Sequence, residues 1–243
     1  LSICSGIEAA TVAWHPLGWT PVAFSEIEPF PCAVLAHHYP DVPNLGDMTK
    51  YADWSIYDGA IDLVCGGTPC QGFSVAGLRG GLDDDRSNLA LGFLGIVDRA
   101  RPRWVVWENV PGVLSSWSGA PENSAINEQG WEGEETSDIS AFTDALAQLG
   151  YGVFMRTLDA QYVRVDGYSR AVPQRRRRVF VVGYLGDWRP AAAVLLERES
   201  LRRNPPPRRE AGKGLAGDVA KCLRGASGGI DREDGHTVIP EVQ

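Results

Sequence analysis

One cysteine of this sequence stands where a reactive thiol would be expected. The apolar run Ile61–Cys65 predicts a buried strand, and the glycines and Pro69 after it predict a tight loop that presents Cys70 just beyond the strand end. A thiolate is a nucleophile, so the chemistry expected of Cys70 is covalent attack on an electrophilic carbon. A lone cysteine is more commonly a small buried apolar side chain. To that role we assign Cys4, Cys32 and Cys65.

A carboxyl group ends another apolar strand. The segment Trp104–Trp107 predicts a buried strand, and Glu108 follows it directly. The carboxyl ends of parallel strands share one edge of a sheet, so Glu108 could lie beside Cys70. A carboxyl group partly screened from water can keep its proton and donate it to a ring nitrogen. The alternative interpretation of Glu108 is a strand-end cap.

Four consecutive arginines lead into the last predicted strand, after the residues Val-Pro-Gln. Alternate residues of an extended chain point to the same side, so we expect Arg176 and Arg178 to share a face. Their guanidinium groups suit paired hydrogen bonds to phosphate or to a base carbonyl oxygen. Arg175 and Arg177 would then face solvent or acidic partners.

Three polar loops at predicted strand ends could hold an adenosine-bearing cofactor. Gly6 opens a helix whose free N–H groups can face a ligand. Glu26 can accept from two ribose hydroxyls, Ile27 can lie against adenine, and Asp47 can accept from its amine. Taken singly, these residues are more commonly turns, solvated carboxylates or helix caps. The loop lacks the full dinucleotide fingerprint, so no pyrophosphate is implied. The candidate residues are Ser5, Gly6, Ile7, Glu26, Ile27, Asp47 and Met48.

The elements that must position these side chains alternate along the chain. Apolar runs between helical patterns predict an α/β protein with a doubly wound, mostly parallel sheet. The predicted strands are Leu1–Cys4, Pro21–Ser25, Ile61–Cys65, Trp104–Trp107, Val153–Leu158 and Val179–Tyr184. The predicted helices are Glu8–Trp14, Pro29–Tyr39, Asn88–Ala100 and Ser140–Leu149. A further strand is expected to end near Gly46.

Composition narrows the class of protein. The 243 residues are 44% hydrophobic and 22% charged, which is typical of a globular protein. No run approaches the ~18 apolar residues of a membrane span, and no export leader opens the chain, so we expect a cytoplasmic protein without membrane contact. The five cysteines lack paired Cys-x-x-Cys spacing, which favours a reduced protein without a metal site. We expect both ends to be cut from a longer protein, and a monomer is the default expectation.

The charge of the chain is polarised. The net charge is −8, which by itself argues against a polyanionic partner. Residues 1–150 carry 6 Lys and Arg against 20 Asp and Glu, whereas residues 151–210 carry 13 against 6. The second stretch is compatible with phosphate binding, although solvated arginines would give the same count.

Three of these motifs, in this order, resemble those of a known family. The Pro-Cys-Gln loop at Cys70, the Glu-Asn-Val motif at Glu108 and the arginine run ending at Arg178 are similar to motifs of the bacterial and phage DNA (cytosine-5) methyltransferases. The resemblance covers about residues 1–185. It implies a Rossmann-like methyltransferase fold, S-adenosylmethionine as cofactor and double-stranded DNA as partner. A cytosine flipped out of the duplex would be methylated at C5, in a bacterial or phage-infected cell.

The resemblance also implies roles for single residues. Cys70 would be the nucleophile that bonds to C6, Glu108 would contact N3, and Arg178 would contact the base carbonyl, with Arg176 supporting the site. The implied cofactor pocket comprises Ser5, Gly6, Ile7, Glu26, Ile27, Asp47, Met48 and Pro69. The implied DNA contacts are Gln71 and Ser74.

The sequence departs from the family pattern in two places. Cys4, Glu8 and Ala9 replace an aromatic residue and a glycine pair in the opening loop, and no counterpart of the two closing motifs follows Pro190. We assign residues 1–189 to the catalytic domain. We assign residues 190–243, a partial and less ordered region, to a linker and the truncated start of a target-recognition region. This leaves open whether residues 1–243 are active by themselves.

Other functions remain open from the sequence alone. The same motif set occurs in relatives that methylate tRNA cytosine. A non-catalytic DNA-binding or cofactor-binding relative is a second alternative, although binding alone does not need Cys70, Glu108 and Arg178 together. A methylase of free pyrimidine nucleotides shares the Pro-Cys attack but does not explain the residues of the cofactor pocket.

Overall fold

The computed structural model describes residues 1–55, 61–69, 89–115, 137–164 and 171–196. The predicted nucleophile Cys70 and the predicted DNA contacts Gln71 and Ser74 lie outside the described residues, and so do residues 197–243.

A six-stranded mixed sheet forms the centre of the fold, with the strand order β2-β1-β3-β4-β6-β5. Its strands are β1 (Ser2–Ile3), β2 (Phe24–Ser25), β3 (Leu63–Gly66), β4 (Trp104–Asn109), β5 (Tyr151–Asp159) and β6 (Arg177–Leu185). The first four in this order pair in parallel, whereas β6 runs antiparallel to both β4 and β5. The six strands that were predicted with bounds are all present, and the α/β class is confirmed.

Five α-helices are described along the chain. They are α1 (Ala9–Trp14), α2 (Pro29–His38), α3 (Leu89–Ala100), α4 (Asp138–Gln148) and α5 (Arg189–Leu195). Short 3-10 helices cover His15–Leu17, Met48–Asp53, Pro111–Ser115 and Ala160–Tyr162. The first four α-helices lie close to their predicted bounds. Within the described residues, no helix is long and apolar enough to cross a membrane.

The sheet is covered on both faces, as a doubly wound fold requires. On one face Phe93 of α3 and Phe142 of α4 join a core that includes Val181. The next residue along β6, Val182, belongs to a separate cluster with Ala191 and Leu195 of α5. Because consecutive strand residues point to opposite faces, α5 covers the face opposite to α3 and α4.

The helix α5 was not predicted from the sequence. It contains a proline in its first turn, where the missing N–H costs nothing. It crosses the predicted domain boundary near residue 190 and packs on β5 and β6. The boundary itself remains a prediction.

The prediction of a strand that ends near Gly46 is wrong. Only an isolated bridge joins Phe24 to Asn44. Phe24 donates its N–H to the carbonyl of Pro43, and its own carbonyl accepts from Leu45. Pro43 has no N–H to donate, and Gly46 turns away with a φ of 72°, so the ladder cannot extend.

A glycine in β5 permits a close backbone approach that we expect to be essential for stability. A Cβ on Gly152 would overlap backbone atoms of Asp187 and Trp188, which cannot move without disturbing the turn before α5. Gly152→Ala should therefore lower the free energy of unfolding by about 1–3 kcal/mol, measured by urea denaturation. Gly112→Ala is the matched control, since a Cβ there would meet only Val110, at 3.9 Å. Equal stability of the two variants would contradict this packing argument.

Candidate active site

A carboxylate and a guanidinium group meet at the edge of the sheet. Glu108 pairs in register with Phe180, and Arg178 lies two residues earlier on the same face of β6. The Nε–H of Arg178 donates to Oε1 of Glu108 over 2.8 Å. Both side chains are partly screened, with 22% of Arg178 and 34% of Glu108 exposed. The antiparallel direction of β6 is what brings its first residues beside the last residues of β4.

The other arginines of the run lie outside this ion pair. Arg176 precedes β6, so strand alternation does not fix the direction of its side chain. Its backbone N–H donates to Oδ1 of Asp159 over 3.0 Å, and its side chain is exposed. Arg175 and Arg177 are also exposed. The supporting role of Arg176 remains a prediction.

The chain that leads to Cys70 packs directly against Glu108. A Cβ on Gly67 would lie 2.9 Å from Oε2 of Glu108 and 3.0 Å from its carbonyl oxygen, so only glycine permits this approach. Asn109 donates its amide N–H to the carbonyl of Thr68 over 2.9 Å. Gly67 and Thr68 therefore share one site with the Glu108 carboxylate and Arg178. Pro69 is exposed beside this site.

The first two loops predicted to hold the cofactor are joined by hydrogen bonds. The N–H of Gly6 donates to Oε2 of Glu26 over 2.7 Å, and the N–H groups of Ile27 and Glu28 donate to its Oε1 over 2.8 Å. Ser5 accepts from the N–H of Ser25. Glu26 is buried, so its carboxylate is held at the strand edge by backbone groups.

The third loop contains a carboxylate that also caps a helix. Oδ1 of Asp47 accepts from the backbone and hydroxyl of Thr49 over 2.9 and 2.8 Å, and these hydrogen bonds hold the pKa of Asp47 below its usual value. Its Oδ2 makes no hydrogen bond within the described part of the chain. Met48 is buried and contacts the sulfur of Cys4. The cap interpretation thus holds for one oxygen and leaves the other available to a ligand.

The side chains of these three loops fit the adenosine part of a cofactor. Glu26 and Asp47 are acceptors for hydroxyl and amine groups, which adenosine carries. Ile7 and Ile27 are apolar yet 60% and 64% exposed, which suits contact with an aromatic base.

The burial of Glu8 was not predicted from the sequence. Glu8 adopts a left-handed conformation with φ 64°, which is uncommon for residues other than glycine, and it is only 1% exposed. Its Oε1 caps α1 by accepting from Thr11, while Oε2 has no hydrogen-bond partner among the described residues. Glu8 lines a cavity of about 200 Å³ with Trp14 and Cys65, and none of the predicted site residues lines it. The sequence did contain a signal for this site, since Glu8 is a polar residue where the related family usually has a glycine.

Two cysteines have the environment expected of structural thiols. Burial raises the pKa of both the Cys4 and the Cys65 thiol to about 11, the negative charge of Glu26 adding to the effect at Cys4. Such thiols stay protonated near neutral pH and are poor nucleophiles. This environment supports the structural role assigned to both.

We expect alkylation to distinguish these two thiols from unfolded ones. At pH 8 a thiol with a pKa of about 11 is ionised in roughly one molecule per thousand, against about one quarter at the unperturbed pKa near 8.5. Iodoacetamide should therefore label Cys4 and Cys65 at least ~100-fold more slowly in the native protein than in urea, as read by peptide mass spectrometry. The native rate should rise with pH until the pH reaches about 11. Equal rates in both conditions would show that burial does not suppress ionisation.

The fold and this site define a class: a doubly wound α/β protein whose functional groups lie at the carboxyl ends of its parallel strands. A family model described as C-5 cytosine-specific DNA methylase matches residues 1–213. The chain therefore belongs to the C-5 cytosine-specific DNA methylase family. Enzymes of this family take the methyl group from S-adenosylmethionine.

One individual relative is a DNA methyltransferase in keeping with this assignment, whereas another is named for the methylation of adenine. The chain is 34% identical over 190 residues to the type II methyltransferase M.AquIA of Picosynechococcus, covering 75% of this chain and 70% of that protein. It is 44% identical over 248 residues to a protein of Escherichia phage P1 named DNA N-6-adenine-methyltransferase, covering 86% of this chain. The chain spans only 31% of the phage P1 protein, and the activity in that name is the activity of the longer protein.

Solved structures support the fold. Dnmt2 methyltransferase of S. pombe superposes with a TM-score of 0.53 at 17% identity, covering 76% of this chain and 48% of that chain. A DNMT2 variant of Spodoptera frugiperda gives a TM-score of 0.51 at 21% identity, covering 76% and 49%.

Proposed function

We propose that this chain is the catalytic part of an enzyme that transfers a methyl group from S-adenosylmethionine to C5 of a cytosine in double-stranded DNA. The observation that carries the proposal is the ion pair of Arg178 with Glu108, packed against the glycine loop that continues into Cys70. A nucleophile two residues after Thr68, a carboxyl group and a paired cation match the three positions of cytosine that must be handled together.

The electronics of the ring explain these residue types. C5 of cytosine is too weak a nucleophile to take a methyl group directly. Addition of the Cys70 thiolate to C6 forms a carbon–sulfur bond and moves the electron pair of the C5–C6 double bond into the ring, where C5 becomes enamine-like. Glu108 would pass a proton to N3 and Arg178 would donate hydrogen bonds to O2, and together these neutralise the negative charge that develops. The partial screening of both groups strengthens this effect.

The second half of the reaction restores the ring. S-adenosylmethionine, when bound, supplies an electrophilic methyl group on its sulfonium centre. C5 would take this methyl group as the methyl–sulfur bond breaks and the sulfonium becomes a neutral thioether. Loss of the C5 proton to a base would then re-form the C5–C6 double bond, and Cys70 would leave as a thiolate with the electron pair of its bond to C6. Attack on C6 requires access above the ring face, so the target base must leave the duplex stack, at a cost of a few kcal/mol.

The cofactor would be held by the loops at the other parallel strand ends. Glu26 would accept from the ribose hydroxyls and Asp47 from the adenine amine through its Oδ2, with Ile7 and Ile27 against the base. Three backbone N–H groups already occupy the Glu26 carboxylate, which has about four acceptor positions. A ribose diol therefore has to share an acceptor position or displace one backbone N–H.

DNA is the proposed partner of the basic part of the chain. The excess of arginine in residues 151–210 and the exposed Arg175 and Arg177 support phosphate binding near the site. Gln71 and Ser74 are further proposed contacts. The bacterial and phage relatives support an enzyme of restriction-modification or phage origin.

A transfer assay separates this function from its alternatives. The full-length chain is incubated with methyl-labelled S-adenosylmethionine and either unmethylated duplex DNA or tRNA, and the products are digested to nucleosides. We expect label in 5-methyldeoxycytidine from the duplex. Label in N6-methyldeoxyadenosine would favour the activity named for the phage P1 protein, and label in tRNA alone would favour an RNA substrate. Absence of transfer from a chain that still binds both S-adenosylmethionine and duplex DNA would favour a binding protein.

A further inference from the structure

We propose that Thr68 and Trp107 are positioning residues that hold the chain leading to Cys70 against β4 beside Glu108. This inference rests on the proposed function, because it concerns the placement of the same nucleophile. We call the hydrogen bonds from Trp107 and Asn109 to Thr68 the Thr68 clamp.

The Thr68 clamp is buried and uses the hydroxyl and the backbone carbonyl of Thr68. The indole N–H of Trp107 donates to the Thr68 hydroxyl over 3.1 Å, and the Asn109 amide donates to the Thr68 carbonyl over 2.9 Å. Thr68 is 3% exposed, Trp107 is fully buried, and Asn109 is 4% exposed. Hydrogen bonds in such surroundings are costly to leave unmade, so they hold their geometry.

The donors of the Thr68 clamp are the two neighbours of Glu108 in β4. Trp107 and Asn109 point to the face that α4 covers, where the Trp107 ring lies 4.5 Å from that of Phe142. Glu108 points to the opposite face. Thr68 is thereby tied to the strand on both sides of the catalytic carboxyl group.

Chain connectivity extends this placement to the nucleophile. Only Pro69 separates Thr68 from Cys70 in the sequence, so a restraint on Thr68 limits where the chain can carry the nucleophile. A displacement of about 1 Å at a reacting group can cost about 100-fold in rate.

Packing alone does not require the Thr68 hydroxyl. Four in-register residue pairs already join β3 to β4, from Leu63 with Trp104 to Gly66 with Trp107. Valine has nearly the volume of threonine and would fill the same space. This ladder between β3 and β4 ends at Gly66, two residues before Thr68. The Thr68 clamp supplies a restraint beyond the point where the strand pairing ends.

The test compares single-turnover methyl transfer with binding in the full-length chain. The variants are Thr68→Val, Thr68→Ser, Trp107→Phe and the Thr68→Val, Trp107→Phe double variant. Tyr151→Phe is the matched control, since it removes a buried hydrogen bond to Pro102 away from the site. Duplex and cofactor affinity and the thermal midpoint are measured beside the rate.

We expect Thr68→Val and Trp107→Phe each to slow transfer by about 10- to 100-fold, with affinities within about threefold of the unaltered chain. The double variant should be no slower than the slower single variant, and Thr68→Ser should recover most of the rate. A Thr68→Val rate equal to that of Tyr151→Phe, or a Thr68→Ser rate as slow as that of Thr68→Val, would overturn the inference alone. No transfer by the unaltered chain would overturn the proposed function and this inference with it.

Discussion

Cys70→Ala should abolish methyl transfer to duplex DNA, lowering the single-turnover rate by at least about 10⁴-fold. Without the thiolate nothing adds to C6, and C5 never gains the electron density it needs. Duplex affinity should change little, because the variant keeps the arginines and the cofactor loops. The measurement is rapid-quench transfer of a labelled methyl group under enzyme excess.

Cys65→Ala provides the matched control for this loss. Cys65 lies five residues earlier, in β3, and burial raises the pKa of its thiol to about 11, so it cannot serve as the nucleophile near neutral pH. Its removal should leave the rate within about threefold of the unaltered chain. Retention of more than about 1% of the rate by Cys70→Ala would contradict covalent catalysis through this residue.

Glu108→Gln should slow transfer by about 10²- to 10⁴-fold. The amide keeps the shape of the side chain but carries no charge to pair with Arg178 and cannot exchange a proton with N3. The loss should fall on the transfer rate rather than on duplex affinity, and single-turnover kinetics with a parallel binding titration separate the two.

A surface ion pair provides the control for Glu108. Asp98 lies 3.9 Å from Arg101 and is half exposed, so Asp98→Asn removes a carboxylate from an ion pair away from the site. Exposed ion pairs contribute about 0–1 kcal/mol, and we expect no change in transfer rate. If Glu108→Gln affected transfer no more than Asp98→Asn, the carboxyl group would have no role in the reaction.

The positions of two carboxylates could be predicted from the sequence. Apolar strand segments followed directly by Glu26 and Glu108 predicted carboxylates at strand ends, and both lie there. Gly6 and Glu26, taken from separate motifs, are joined by a hydrogen bond. Such predictions succeed because a buried parallel strand needs a continuous apolar run, and its end is marked by the first polar residue.

Features that depend on packing between distant segments could not be predicted from the sequence. The Arg178–Glu108 contact depends on β6 running antiparallel to β4, and an apolar run contains no information about strand direction. The helix α5 was hidden because a proline at its start resembles a helix breaker. The Thr68 clamp depends on β3 and β4 being neighbours in the sheet, which local patterns do not reveal.

The central claim is a covalent bond between Cys70 and a target cytosine, and trapping tests it most directly. Duplex DNA containing 5-fluorocytosine is incubated with the full-length chain and S-adenosylmethionine, since fluorine cannot leave as a proton does. We predict a protein–DNA adduct that survives denaturation and whose DNA-bearing peptide contains Cys70. Methylation of an ordinary duplex without any adduct on the fluorinated one, or an adduct on another residue, would contradict the account.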